Sequence, residues 1–472
     1  MSDLDVVVLG GGTGGYVAAI RGAQLGLKVA LVETSKLGGT CLHVGCMPTK
    51  ALLRSAELFS AVRDGEKFGV MTDGLRFDLT KAMARKQQIV DQLHKGIEFL
   101  MKKNQIRVIE GYGRVMGRSI FSPTAGAVRV LRADGEEEIL SPRYTIIATG
   151  SKPRALPGLP FDGVRVLSSD DILAIQELPE SIIIVGGGAI GIEWASLLAD
   201  VGVKVTVVEA LPRILFNEDE DISAEMLRVL KKRGIKVIAD ASVQADAFAV
   251  ADNLVKLPVT ARERTETLTA NMVLVAIGRT ANVDDIGLEA TNVQVERGVI
   301  VVDDAMCTAE KNIYAIGDVI GRLQLAHAAA HEGILAMEAL AGLNPDPMNY
   351  DQVARATYSR PEVASIGLTE AQAIAKGHQV KTGKVSFRAI GKALVYGEVD
   401  GFVKIVADAE REDVLGVHMI GPHVTDLISE AALAQVLNAS PFEIGHTIHP
   451  HPTLSEALGE AALAVDGRAI HI

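Results

Sequence analysis

Two glycine fingerprints of one design stand far apart in this chain of 472 residues. The first is Gly10-x-Gly12-x-x-Gly15. It follows the apolar run Val6-Val7-Val8-Leu9 and opens into Val17-Ala18-Ala19-Ile20; a second apolar run, Val29 to Val32, then ends in Glu33. The second is Gly186-x-Gly188-x-x-Gly191, with Ala189 and Ile190 inside it, preceded by Ile182 to Val185 and followed by Val205 to Val208 and Glu209. In each copy the acid follows the last glycine by the same interval, 15 to 33 and 191 to 209. Strand, tight glycine turn, helix, and a second strand ending in an acid make up the βαβ arrangement that holds a dinucleotide. The glycines let the backbone approach a pyrophosphate, and the helix N-terminus faces that charge. The acid takes the ribose hydroxyls. A lone fingerprint is a weak signal, but flanking strands and acid give it weight. Two such sites imply an electron pair or hydride passed between two cofactors. The pattern predicts an α/β fold with two Rossmann-like dinucleotide-binding domains.

The chemistry most in need of such sites is a pair of cysteines, Cys41 and Cys46, just after the first fingerprint. On an ideal helix, residues five apart have Cα atoms roughly 8.7 Å apart. A disulfide needs less than about 7 Å. The pair is therefore either unbridged or carried on distorted backbone, with Gly45 and Pro48 as the residues to distort it. A helix is expected from Ala51 to Val62. Lys50 follows Cys46 by one helical turn, which places an ammonium beside that sulfur and favours a thiolate. Two buried, inert cysteines beside a surface lysine is the bland alternative.

Length suggests about three domains of ~150 residues. Aromatic residues are only 4% of the chain, so its cores must be aliphatic. The net charge of −12 argues against a general nucleic-acid binder. Three cysteines are too few for a secreted disulfide scaffold; Cys307 reads as a small buried residue. No apolar run is long enough for a membrane span. The first strand starts at Leu4, which leaves no room for a signal or transit peptide. The cytoplasm of a prokaryote, or a processed organellar form, is the expected location.

Between the fingerprints lie a helical stretch from Leu79 to Lys102 and a small-strand region from Ile106 to Leu140. Pro153 and Pro157-Gly158 mark a linker. From Tyr350 the pattern changes to short strands, Lys384 to Phe387, Phe402 to Val406 and Leu415 to Ile420, then helices from Val424 to Leu437 and from Leu454 to Val465. Near the end stands His449-Pro450-His451-Pro452-Thr453-Leu454-Ser455-Glu456. Thr453 and Glu456 alone would make a capping box. That leaves unexplained a histidine held between two prolines, whose imidazole suits proton transfer with a thiol and whose far nitrogen Glu456 would orient.

The segment Gly38-Gly39-Thr40-Cys41-Leu42-His43-Val44-Gly45-Cys46-Met47-Pro48-Thr49-Lys50 resembles the redox-active disulfide segment of the flavin-dependent pyridine nucleotide–disulfide oxidoreductases, above all those acting on dihydrolipoyl groups. Glu110-Gly111-Tyr112-Gly113, Tyr144 to Gly150, Val273 to Arg279, Tyr314 to Val319, Leu325-Ala326-His327, Arg360 to Gly367 and His451 to Glu456 resemble further motifs of that family, in its order along the chain. One departure is Ala281 before Asn282, where the family has proline. The resemblance implies FAD on Gly10, Gly12, Gly15, Glu33, Gly39, Thr40, Lys50, Gly113, Thr149, Gly150, Asp318 and Ala326. It implies NAD on Gly186, Gly188, Ala189, Ile190, Gly191, Glu209, Val243, Ala276, Gly278 and Arg279. Asp318 has a bland alternative too, a helix N-terminal acid worth a fraction of a kcal/mol.

Further implied are a Cys41–Cys46 disulfide, His451 as base with Glu456 behind it and His449 in support, and Lys50 beside flavin N5 with Glu193 as its ion-pair partner; an ordinary first-turn acid is the alternative for Glu193. Implied domains are 1–150 (FAD, first part), 151–280 (NAD), 281–349 (FAD, second part) and 350–472 (an α+β dimerisation domain). Implied partners are a second copy of the chain and the lipoyl domains of 2-oxo acid dehydrogenase complexes or of the glycine cleavage system; no metal is implied. The tail Gly467 to Ile472 lacks the cysteines of mercuric and large thioredoxin reductases, both active cysteines are present, unlike coenzyme A disulfide reductases, and Glu209 disfavours the 2′-phosphate of NADP, which glutathione reductase takes. Arg213 is the nearby cation that would favour it. A glutathione- or mercuric-reductase-like enzyme, and in another class a non-catalytic FAD-binding interaction protein, are the alternatives; the latter has no reason to keep Cys41, Cys46, His451 and Glu456 together.

Overall fold

A computed structural model describes residues 4–118 and 125–471. Residues 119–124 of the expected small-strand region lie outside that description, as does Ile472 of the tail. The chain forms two compact units, each assembled from three separate stretches.

The first unit holds residues 1–51, 80–154 and 279–348. Its centre is a parallel five-stranded sheet in the order Ile313–Ala315, Tyr144–Ile147, Val6–Leu9, Val29–Glu33, Arg107–Glu110. Val6, Val7 and Val8 are fully buried, as a strand covered on both faces must be. Helices Thr13–Gln24 and Ala326–Leu340 pack closely, Gly14 against Gly333, where a side chain on either would meet the other helix's backbone region. An antiparallel sheet of Tyr112–Met116, Ala127–Leu131 and Glu137–Leu140 adjoins. Gly113 lies in it, and a Cβ there would lie 2.6 Å from a Leu9 methyl, so any larger residue would make that side chain shift. Ser151–Pro153 pairs antiparallel with Arg279–Ala281.

The second unit holds residues 52–79, 155–278 and 349–472. It repeats the parallel plan in the order Lys236–Ile238, Lys204–Val208, Ser181–Val185, Met272–Val275, Val166–Leu167. Its third stretch builds an antiparallel five-stranded sheet in the order Arg355–Thr357, Glu362–Gly367, Val414–Gly421, Phe402–Asp408, Val380–Ser386. The three strands expected there are all present, each longer than its apolar run. Helix Val424–Val436 matches expectation. Helix Pro441–His446 is an addition, started by a Ser440/Glu443 capping box. The last helix, Glu456–Val465, begins later than Leu454 because Glu456 is drawn into other bonds.

Candidate active site

The two fingerprints fold into matching cradles. Gly10 and Gly186 have φ of +103° and +113°, and a Cβ on either would lie 2.3 Å from a carbonyl, Ala148 O or Ala276 O. Only glycine fits such a turn. Gly12 and Gly188 each precede a twelve-residue helix with no side-chain cap, Thr13–Gln24 and Ala189–Asp200, so each helix N-terminus keeps N–H groups for an anion. The strand-end acids behave alike. Gly11 N donates to Glu33 Oε2 at 2.6 Å, and Gly187 N donates to Glu209 Oε2 at 2.5 Å. The other oxygens accept from Ser35 N and Leu211 N. Each carboxylate is thus fixed with lone pairs to spare for ribose hydroxyls. Val243 ends the strand Ala241–Val243 of the second unit. Arg213 is committed elsewhere: it donates to Glu218 O and Ser223 Oγ.

The cysteine segment sits on the first cradle. Gly38 bridges Gly12, and Gly39 is so close that a Cβ would lie 2.6 Å from Gly12 Cα. A short helix, Gly39–His43, carries Thr40 and Cys41 and stops at Val44, whose φ is −138°. A new helix, Cys46–Arg63, starts at the second cysteine and so begins earlier than the expected Ala51. Of the two alternatives, an unbridged pair or a distorted backbone, the structure has both features: the cysteines are free and the helix breaks at Val44, just before Gly45. Pro48 is not the breaker; it sits in the first turn of the new helix, where a missing N–H is harmless. Thr49 Oγ1 donates back to Gly45 O at 2.7 Å and ties that turn. Cys41, Cys46 and Cys307 carry free thiols in this structure. Cys307 is half-buried rather than buried, its thiol turned to Thr308 O. The hydrogen bond with Cys46, then burial, push the Cys41 thiol far up; Lys50 pulls the other way and loses. The Cys41 thiol therefore holds its proton.

A polar cluster unites Asp318 with two residues of the Ser151–Ala281 ribbon. Ser151 Oγ donates to Asp318 Oδ2, Arg279 Nε donates to Ser151 Oγ at 2.7 Å, and Arg279 Nε lies 4.0 Å from Asp318. Thr149 Oγ1 donates to Asn282 O, and Asn282 Nδ2 returns a bond to Thr149 O. Arg279 spends its Nε on Ser151 Oγ and its Nη2 on Ser151 O. Asp318 opens the short helix Gly317–Ile320, so it is a first-turn acid as well as a member of this cluster. Ser151 carried no motif of its own; its position directly after Gly150 was the only signal. Ala326 is the first residue of helix Ala326–Leu340.

In the second unit Glu193 is not a first-turn acid. It is buried in the body of helix Ala189–Asp200 and accepts from Tyr358 N at 2.9 Å. His451 Nδ1 donates to Glu456 Oε1 at 2.9 Å, and Glu456 Oε2 accepts from Thr453 N at 2.8 Å. One carboxylate thus serves both expected roles. Only half of the capping box forms, the Thr453 N–H to Glu456 bond; the Thr453 hydroxyl donates to Pro450 O. The His451 side chain is 78% exposed, and its Nε2 is the nitrogen left to face a reactant. Burial alone would raise the Glu456 carboxyl, but bonds from His451 and Thr453 outweigh it and hold the carboxyl below its usual range. His449 is raised by its 2.8 Å bond to Glu430, against burial, which lowers it.

A glycine cradle with its own acid, twice over, plus a dithiol seated on one of them, is the equipment of a nucleotide-dependent disulfide oxidoreductase. Residues 4–333 match the family described as pyridine nucleotide-disulphide oxidoreductase, and residues 353–462 match that family's dimerisation domain. The chain belongs to this family. FAD and NAD are the cofactors of its members, and the two cradles fit one dinucleotide each. The chain is 59% identical over 471 residues to a dihydrolipoyl dehydrogenase of Bacillus subtilis, covering 100% of this chain and 99% of that one. It is 43% identical to the dihydrolipoyl dehydrogenase of Zymomonas mobilis, covering 99% of both. The fold is similar to the crystal structure of LpdA from Mycobacterium tuberculosis, with a TM-score of 0.90 and 27% identity over 97% of this chain and 99% of that one. It is also similar to the flavoprotein disulfide reductase RclA of Escherichia coli, with a TM-score of 0.83 and 26% identity over 97% and 99%. Among the described residues no helix is long and apolar enough to cross a membrane.

Proposed function

We propose that this chain oxidises protein-bound dihydrolipoamide to lipoamide and reduces NAD+ to NADH, with Cys41 and Cys46 as the redox couple. The observation that carries the reading is the hydrogen-bonded dithiol seated on the first fingerprint. His451 Nε2 takes the proton of one dihydrolipoyl thiol. The resulting thiolate attacks Cys41 Sγ of the oxidised pair, and Cys46 leaves as thiolate. The second lipoyl sulfur then attacks the first, closes the cyclic lipoyl disulfide and releases Cys41. Two electrons have moved to the protein, whose cysteines are now the dithiol. The released Cys41 thiol keeps its proton. When bound, FAD on the cradle of Gly10, Gly12, Gly15 and Glu33 would supply the chemistry that carries this electron pair on to NAD+, which Gly186, Gly188, Gly191 and Glu209 would hold. Glu456 holds the His451 ring and steadies its imidazolium. Lys50 lies one helical turn from Cys46, where its charge favours the thiolate.

Residues 1–150 and 281–349 form the FAD domain in this reading, 151–280 the NAD domain, and 350–472 the dimerisation domain of a cytoplasmic homodimer that serves lipoyl domains of a 2-oxo acid dehydrogenase complex or of the glycine cleavage system. The test is a pair of variants in the FAD-loaded enzyme. Both Cys41→Ser and Cys46→Ser lose lipoamide turnover. Cys41→Ser alone shows long-wavelength thiolate-to-flavin absorbance without added reductant. Absence of that absorbance near neutral pH, or its presence in Cys46→Ser, refutes the assignment of the two sulfurs.

A further inference from the structure

Two imidazoles converge on a single carbonyl beside the dithiol. His43 Nε2 and His94 Nδ1 each lie 2.9 Å from Leu37 O. A carbonyl only accepts, so each ring must donate through that nitrogen. The rings meet edge to face, with centroids 5.3 Å apart. Leu37 is buried and directly precedes Gly38 and Gly39, whose φ values of +113° and +58° turn the chain into the helix that carries Cys41. His43 is the last residue of that helix, so its bond to Leu37 joins the helix's end to the carbonyl before its start. His94 comes from the long helix Leu79–Lys103 and holds the same carbonyl from outside. Its other nitrogen lies 3.4 Å from Glu98 Oε1. Cys46 stands on a different helix, tied by Thr49 to Gly45. The separation of the sulfurs thus depends on how firmly the short helix is held.

We propose that His43 and His94 are positioning residues for the cysteine pair, a two-point clamp on the Leu37 carbonyl that sets the distance between the two sulfurs. The proposal rests on the reading of Cys41 and Cys46 as the redox couple. A loosened clamp lowers the effective concentration of one sulfur at the other and shifts the pair toward the dithiol.

The test measures that balance in the FAD-loaded enzyme, anaerobically, across graded ratios of reduced and oxidised dithiothreitol. As the enzyme disulfide closes, oxidised dithiothreitol takes the two electrons and two protons and opens to its dithiol. Alkylation then scores the Cys41–Cys46 peptide by mass. His43→Leu and His94→Leu are each expected to move the constant about tenfold toward dithiol, ~30 mV for a two-electron couple. His43→Gln and His94→Asn place an amide N–H near the original nitrogen and should restore the wild-type constant. Leucine variants with an unchanged constant overturn the proposal. So do amide variants shifted as far as the leucines, which would mean that ring packing matters and the N–H does not. If the leucine variants fail to fold, the amide variants decide: a wild-type constant supports the clamp and a shifted one overturns it. If the wild-type enzyme forms no disulfide at any ratio, the redox reading fails first and takes the clamp with it.

Discussion

Glu456 divides one carboxylate between the His451 ring and a backbone N–H, so its loss acts on both. Glu456→Gln is expected to lower kcat for dihydrolipoamide about 10- to 100-fold, and His451→Gln about 10²- to 10⁴-fold, with KM for NAD+ unchanged; steady-state kinetics checks both. The Glu456 carboxyl is depressed in the fold, so its stabilisation is present above the ordinary glutamate range and fades as pH falls through the lowered value. His449 runs the other way. Its pKa is raised, so the His449–Glu430 bond stabilises fully below the ordinary histidine value of about 6.5 and is lost as pH rises through the raised one. Urea unfolding of wild type and Glu430→Gln should differ by on the order of 1–3 kcal/mol in mild acid and converge at alkaline pH.

The glycine turns were legible because their chemistry is local: a positive φ and a close approach leave no other residue, and an acid at fixed spacing completes the pattern. The His451–Glu456 pair was legible for the same reason, five positions apart on one short segment. Contacts that join distant stretches were not. Ser151 meets Asp318 across 167 positions, and His94 meets Leu37 across 57. Lys404 is the clearest case. A lysine in the Phe402–Asp408 strand reads as a solvated charge, yet only 4% of it is exposed. Its ammonium donates to Asp219 at 2.9 Å and Asp221 at 3.0 Å, and pairs with Glu370 at 2.7 Å. Asp219 also caps helix Glu220–Lys232. Lys404→Met leaves buried carboxylate without its cation and should cost about 3–5 kcal/mol, read as a lowered urea midpoint.

A dithiol in the N-terminal stretch and its base in the last stretch of the chain admit two assemblies, one in which each subunit serves itself and one in which subunits serve each other across a twofold axis. The matched dimerisation domain at 353–462 favours the second. Leu433, Val436 and Leu437 are exposed on helix Val424–Val436 and at its end, within that domain. Mixing inactive Cys41→Ser and His451→Gln subunits under exchange should therefore give about half heterodimers and restore roughly a quarter of wild-type sites. Activity that stays at the level of the separate variants, despite proven exchange, means that each chain uses its own base.

In the proposed reading Glu209 is more than a reader of the ribose. By accepting from Gly187 N it also latches the second glycine loop, and Arg213, four residues on, spends its Nη1 on Glu218 O and Ser223 Oγ. Preference for NAD+ over NADP+ should reach about 100-fold or more in kcat/KM. The latch also makes that preference hard to redesign. Exchanging Glu209 for a neutral or basic residue removes the ribose contact and unties the loop in the same stroke. Drift toward NADP+ must therefore pass through a variant poor with both cofactors, unless a new acceptor for Gly187 N arrives first.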